Sequence, residues 1–170
     1  IWEGALDGTV PLMVAVRQLA RTQGERWRDS KCLAWLATIH LEFDEPAASL
    51  ACCEELLPLA ERMGESGELP FVHALEALAR QALGRPDAGR QLAAAVERLR
   101  AFDSKAHLAY VLNVVAGDAL AGGRFAEALD AAQDALAAAE ATRRVWEAAT
   151  SQALLARILA AQGDRPGGQR

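Results

Sequence analysis

Leu33, Leu36, Ala37 and Leu41 stand at the i, i+3, i+4, i+8 spacing that places side chains on one face of a helix. The stripe returns as Leu75, Leu78, Ala79 and Leu83, then as Leu112, Val115, Ala116 and Leu120, and in a fourth copy as Gln152, Leu155 and Ala156. The four alanines lie 42, 37 and 40 residues apart, a period that belongs to arrays of stacked supersecondary units. Behind each of the first three copies runs a second stripe. Leu50, Leu92 and Leu129 align, as do Leu57, Leu99 and Leu136 seven residues later, two turns along one face. Each repeat is therefore a pair of amphipathic helices.

The segments EPAASLACCEELLPLAER and RFAEALDAAQDALAAAEA align without a gap, setting Cys52 and Cys53 over Ala131 and Ala132, and Glu61 over Glu140. Leu19 and Ala20 fall over Leu59 and Ala60, and Trp27 falls over Trp146. The punctuating stretches LEFDEP, LGRPDAG, LAGGRF and AQGDRP bring Gly, Asp or Pro between the stripes, where Gly closes one helix and Pro suits the first turn of the next. Linkers this short make paired helices antiparallel. The pattern predicts helices near 7–23, 26–42, 46–63, 69–83, 87–102, 105–121, 124–141 and 145–161. Asp103 and Ser104 offer an N-cap for the sixth, and Pro58 falls inside the third, where it removes one backbone bond and bends the rod.

The chain has 170 residues, 52% hydrophobic and 24% charged, and about a fifth of it is alanine, with few β-branched or aromatic residues to build a sheet. An all-α fold with an ample core follows. The net charge of −5 implies no general attraction to nucleic acid or to an anionic membrane. No apolar run approaches the ~18 residues of a membrane span, and no basic-then-apolar leader opens the chain, so a cytoplasmic protein is expected. Three cysteines, two of them adjacent, make a poor disulfide framework and point to reduced thiols. The opening IWEG and the closing GDRPGGQR both read as interrupted repeat units, which suggests an excerpt of a larger protein with repeats near 1–24, 25–64, 68–103, 105–142 and 143–170 in a single domain.

At LNVVAGDALAGGRFAEALDAAQDAL the residues resemble the tetratricopeptide repeat: Val115 and Ala116 form its large-then-small pair, Gly123, Phe125 and Ala128 its step into the second helix, and Ala135 its later small residue. The other copies depart, with Pro46 at the Phe125 position, Ser49 and Gln91 at the Ala128 position, and a period longer than the ~34 residues of the standard repeat. Long copies rich in Ala, Leu and Arg are similar in style to the helical arrays of large bacterial signalling ATPases, LuxR-like regulators and cyclases. The resemblance implies a right-handed superhelical array of antiparallel helix pairs, with first helices lining a concave side that holds extended peptides or partner helices. It also implies which positions face that side. They are Lys31, Ala34, Thr38 and Leu41; His73, Glu76, Arg80 and Leu83; Tyr110, Asn113, Gly117 and Leu120; and Thr150, Ala153, Arg157 and Ala160. Lys31, Thr38, His73, Glu76, Arg80, Tyr110, Asn113 and Arg157 are its polar contacts.

Nothing in the chain reads as a catalytic or cofactor site: it has no Gly-rich phosphate loop, no HExxH pair and no Gly-x-Ser-x-Gly elbow. His40, His73 and His107 sit at unlike registers on three helices and suggest no metal face; Cys52 and Cys53 occupy columns that hold alanine elsewhere and read as small core thiols. Trp27, Trp35 and Trp146 read as wedges between repeats or as partner anchors. The leading expectation is a non-enzymatic scaffold for a protein or peptide partner. A repeat domain sensing a small-molecule inducer and a structural dimerisation spacer are the alternatives. Open ends of the array should drive self-association, through Trp2 and Leu6 at one end and Leu155, Ile158 and Leu159 at the other.

Overall fold

The computed structural model describes residues 8–62 and 68–163, and among them the chain is all-α, with no strand. The helices are α1 (Thr9–Thr22), α2 (Arg26–Glu42), α3 (Pro46–Arg62), α4 (Glu68–Ala82), α5 (Ala88–Ala101), α6 (Lys105–Ala121), α7 (Phe125–Ala141) and α8 (Val145–Gly163). Each predicted helix is present, with ends within about two residues of expectation. Pro58 lies inside α3, which runs through it to Arg62; the ring is on an exposed position, where the lost backbone bond faces water.

Six junctions between helices share one construction. At the end of α1 the Glu25 N–H donates to the Ala20 carbonyl (2.9 Å) and the Gly24 N–H to the Arg21 carbonyl (3.2 Å), the crossed pair of bonds of a Schellman turn. The outer bond recurs from Glu45 to His40, Arg85 to Arg80, Ser104 to Leu99, Arg124 to Ala119 and Arg144 to Ala139. The turn needs one left-handed residue. Glycine supplies it at Gly24, Gly84 and Gly123, whereas Asp44 (φ 57°), Asp103 (φ 50°) and Arg143 (φ 55°) supply it at the other three. Asp103 is thus a turn residue rather than a cap. Ser104 does stand at the N-cap of α6, but its hydroxyl makes no capping bond and lies 2.9 Å from His107 Nδ1.

The chain divides into two compact units, residues 1–95 and 96–170, and the division falls within α5. In the first unit α1 packs on α2, α2 on α3 and α3 on α4, and the first helices α2 and α4 also touch. Its core holds Leu33, Leu36, Ala37, Cys53, Leu56, Ala60, Leu75, Leu78 and Ala79. In the second unit α6 packs on α7, α7 on α8 and α6 on α8. There the core cluster is Ala116, Ala119, Ala128, Ala131, Ala132, Leu154 and Ile158. Small side chains dominate it because a methyl at a crossing lets helix axes come near the short end of the ~8–10 Å range.

One column breaks the pattern. Ala37, Ala79 and Ala116 are fully buried, but Ala156 is exposed. Within its unit α8 packs on α6 and α7, and a single stripe of Glu147, Ser151, Leu154 and Ile158 is buried. Ile158, expected at an open end, is therefore core; Leu155 is half-buried and Leu159 exposed, while Trp2 and Leu6 lie outside the described residues.

Candidate functional site

The projected groove residues lie on both units but are gathered into a patch only on the first. On the first unit, Lys31 and Thr38 come from α2, and His73, Glu76 and Arg80 from α4, the helix that packs beside it. All five are half-buried. Lys31 Nζ binds Glu68 Oε1 across the two helices and lies 5.7 Å from the centroid of the Trp27 ring one turn before it. Glu76 accepts from Arg80 Nη2 (2.7 Å) and Nε (3.2 Å), and its other oxygen stands 3.8 Å from His73 Nδ1. Thr38 Oγ1 donates to its own helix, at the Ala34 carbonyl (2.9 Å). The row presents cationic and anionic tips one helical turn apart, already paired with one another. A peptide with acidic and basic side chains could exchange partners with it at little desolvation cost.

On the second unit the projected residues separate. Tyr110 is half-buried and Arg157 exposed. Asn113 is buried, and its amide joins helices: Nδ2 donates to the Glu147 carbonyl (2.9 Å), and Oδ1 accepts from Ser151 Oγ (2.7 Å). Ser151 Oγ is also 2.9 Å from the Glu147 carbonyl, which closes a three-residue knot between α6 and α8. The buried Glu147 side chain accepts from Arg144 Nε (2.9 Å) at the start of the same helix. Asn113 therefore fixes the spacing of two first helices. Its polarity at a groove position could not distinguish that task from ligand contact.

Spacing also left a second polar tie hidden. Arg17 of α1 donates from Nε to Asp29 of α2 (2.9 Å) and from Nη2 to Glu55 of α3 (2.5 Å), so one guanidinium joins three helices. The Glu55 bond chiefly holds the guanidinium pKa above its ordinary value, and the same guanidinium holds the Glu55 carboxyl below its own. In the sequence this arginine lies in an Arg-rich stretch, and no local signal marks Glu55 as its partner.

Cys32, Cys52 and Cys53 are free thiols. Burial, reinforced by Cys52 and by the Glu76 carboxylate, pushes Cys53 up to about 12, with the Ser49 hydroxyl opposing. Burial also raises Cys32 and Cys52. Raised thiols are poor nucleophiles and poor metal ligands at neutral pH. Among the described residues no group of three or more His, Cys, Asp or Glu is placed to hold a metal ion, and no helix is long and apolar enough to cross a membrane. No family model, curated protein or solved structure matches the chain.

Proposed function

We propose that this chain is a tetratricopeptide-like, non-enzymatic scaffold that binds an extended peptide along its first helices, as a regulatory segment of a cytosolic bacterial signalling or transcription-regulating protein. The observation that carries the proposal is the adjacency of α2 and α4, the helices that bear Lys31, Thr38, His73, Glu76 and Arg80 as half-exposed polar residues of mixed charge. Such a set suits an extended backbone with charged side chains, since donors and acceptors recur at helical spacing. The repeated pairing of helices, the alanine columns and the contact of successive first helices support the array on which this mode of binding depends.

Selection of a random peptide library on the purified chain tests it. Enriched peptides should bind with dissociation constants near the micromolar range typical of small, exposed grooves. Arg80→Ala and Lys31→Ala should each weaken them several-fold, while Arg90→Ala, at an exposed position of α5, should not. Peptides that bind the two groove variants as tightly as the parent chain would place the binding surface elsewhere.

A further inference from the structure

Ala116 and Ala119 of α6, Ala131 of α7 and Leu154 of α8 are buried together in one cluster. Each has one counterpart on α1, α2 or α8 that is exposed, although others, such as Ala37 and Ala79, are buried. Forty residues beyond the α6 pair stand Ala156 and Leu159 on α8, with Leu159 59% exposed. The α1–α2 hairpin matches the α7–α8 hairpin without a gap at a separation of 119 residues. That register sets Leu12 (63% exposed) over Ala131, Leu19 (54%) over the buried Ala138, and Trp35 (53%) over Leu154. Both halves of a helix contact that the second unit makes internally are therefore displayed, unmade, on α8 and on the α1–α2 hairpin.

We propose that the chain self-associates head to tail. The outer face of α8 in one copy (Gln152, Ala156, Leu159) packs on α1 and α2 of the next through Leu12, Leu19 and Trp35, repeating between molecules the contact of α6 with α7 and α8 within one. A second copy is the occupant because it carries the complementary register. The exposed side chains are larger than their buried counterparts, Leu for Ala and Trp for Leu, which suits a somewhat wider helix spacing between copies. The contact is heterologous, so every association leaves one face of each type open, and assembly passes beyond the dimer or closes into a ring.

Sedimentation velocity over a dilution series reads the outcome. The average mass of the parent chain should rise with concentration beyond that of a dimer. Leu159→Glu and Leu19→Glu, both at exposed positions where helicity measured by circular dichroism should be kept, should each be monomeric alone. Mixed in equal amounts they should form a heterodimer that grows no further, with a mass approaching twice that of either variant, because each retains the face the other has lost. A parent chain monomeric at all concentrations, a single variant that still dimerises with itself, or a mixture that fails to pair overturns the proposal. Persistent self-pairing of one variant would mark a symmetric contact, and a monomeric parent would mean that each open face is covered from within its own chain.

Discussion

Ala116 is fully buried in one cluster with Ala119, Ala131 and Leu154. Ala116→Leu should destabilise the chain by about 1–3 kcal/mol through overpacking. Ala156→Leu should stay within about 0.5 kcal/mol, because its counterpart position on α8 is open to solvent. Urea midpoints of the two variants decide whether burial, rather than membership of the alanine column, sets the cost. Arg143 poses the opposite case. It holds φ near 55° with a full side chain, where a left-handed L-residue costs roughly 1–2 kcal/mol, so Arg143→Gly should raise stability by about 0.5–1 kcal/mol once the extra freedom of glycine in the unfolded chain is offset. A lower midpoint for the glycine variant would show that the turn is not strained. The column of small residues was legible because its period repeats. The fate of Ala156 was not, since burial depends on what packs outside the helix, and three of the six left-handed turn residues escaped notice because aspartate and arginine take positive φ far less often than glycine.

At the scale of elements, α1 is held by few buried side chains, Ala20 foremost, and by the Arg17 bonds to α2 and α3. Arg17→Ala should speed hydrogen exchange along α1 while leaving α3 and α4 nearly unchanged. The pH dependence has a definite sign. The Glu55 pKa is lower folded than unfolded, so between the two values the unfolded state binds more protons. The stabilisation is therefore present above the ordinary carboxylate range and is lost as pH falls through the folded value. Because the Glu55 side chain is more than half exposed, the effect is small and should fade in high salt. Exchange in α1 that is unmoved between neutral and acid pH, after correction for intrinsic rates, would remove Glu55 from the clasp. In the second unit, Asn113→Ala removes both of its bonds to α8 and leaves the Ser151 hydroxyl bonded only within its own helix, to the Glu147 carbonyl; the two lost buried bonds cost about 1–3 kcal/mol. Amides of α8 should then exchange faster than those of α7. Helix positions could be foreseen from apolar spacing alone, but these ties join residues 12 to 38 positions apart, and nothing local in the sequence pairs them.

For the whole molecule, the contacts within each unit join helices that are neighbours or next neighbours in the chain. Loops to be closed are short, so refolding should be complete well within a second, as for other helical proteins of low contact order. A dominant phase lasting many seconds in stopped-flow refolding would show that more distant pairing limits the rate. The same locality explains why the all-α fold could be anticipated: a repeated pattern of helix, turn and helix needs no long-range register. The six shared turns carry a further consequence. Because all six are closed by the same crossed backbone bonds, these junctions are nearly interchangeable parts, whatever side chain occupies the left-handed position. A recombination event that joins one turn to another leaves the local hydrogen bonding whole. A chain joined in this way can gain or shed a hairpin with the main adjustment confined to the faces that meet.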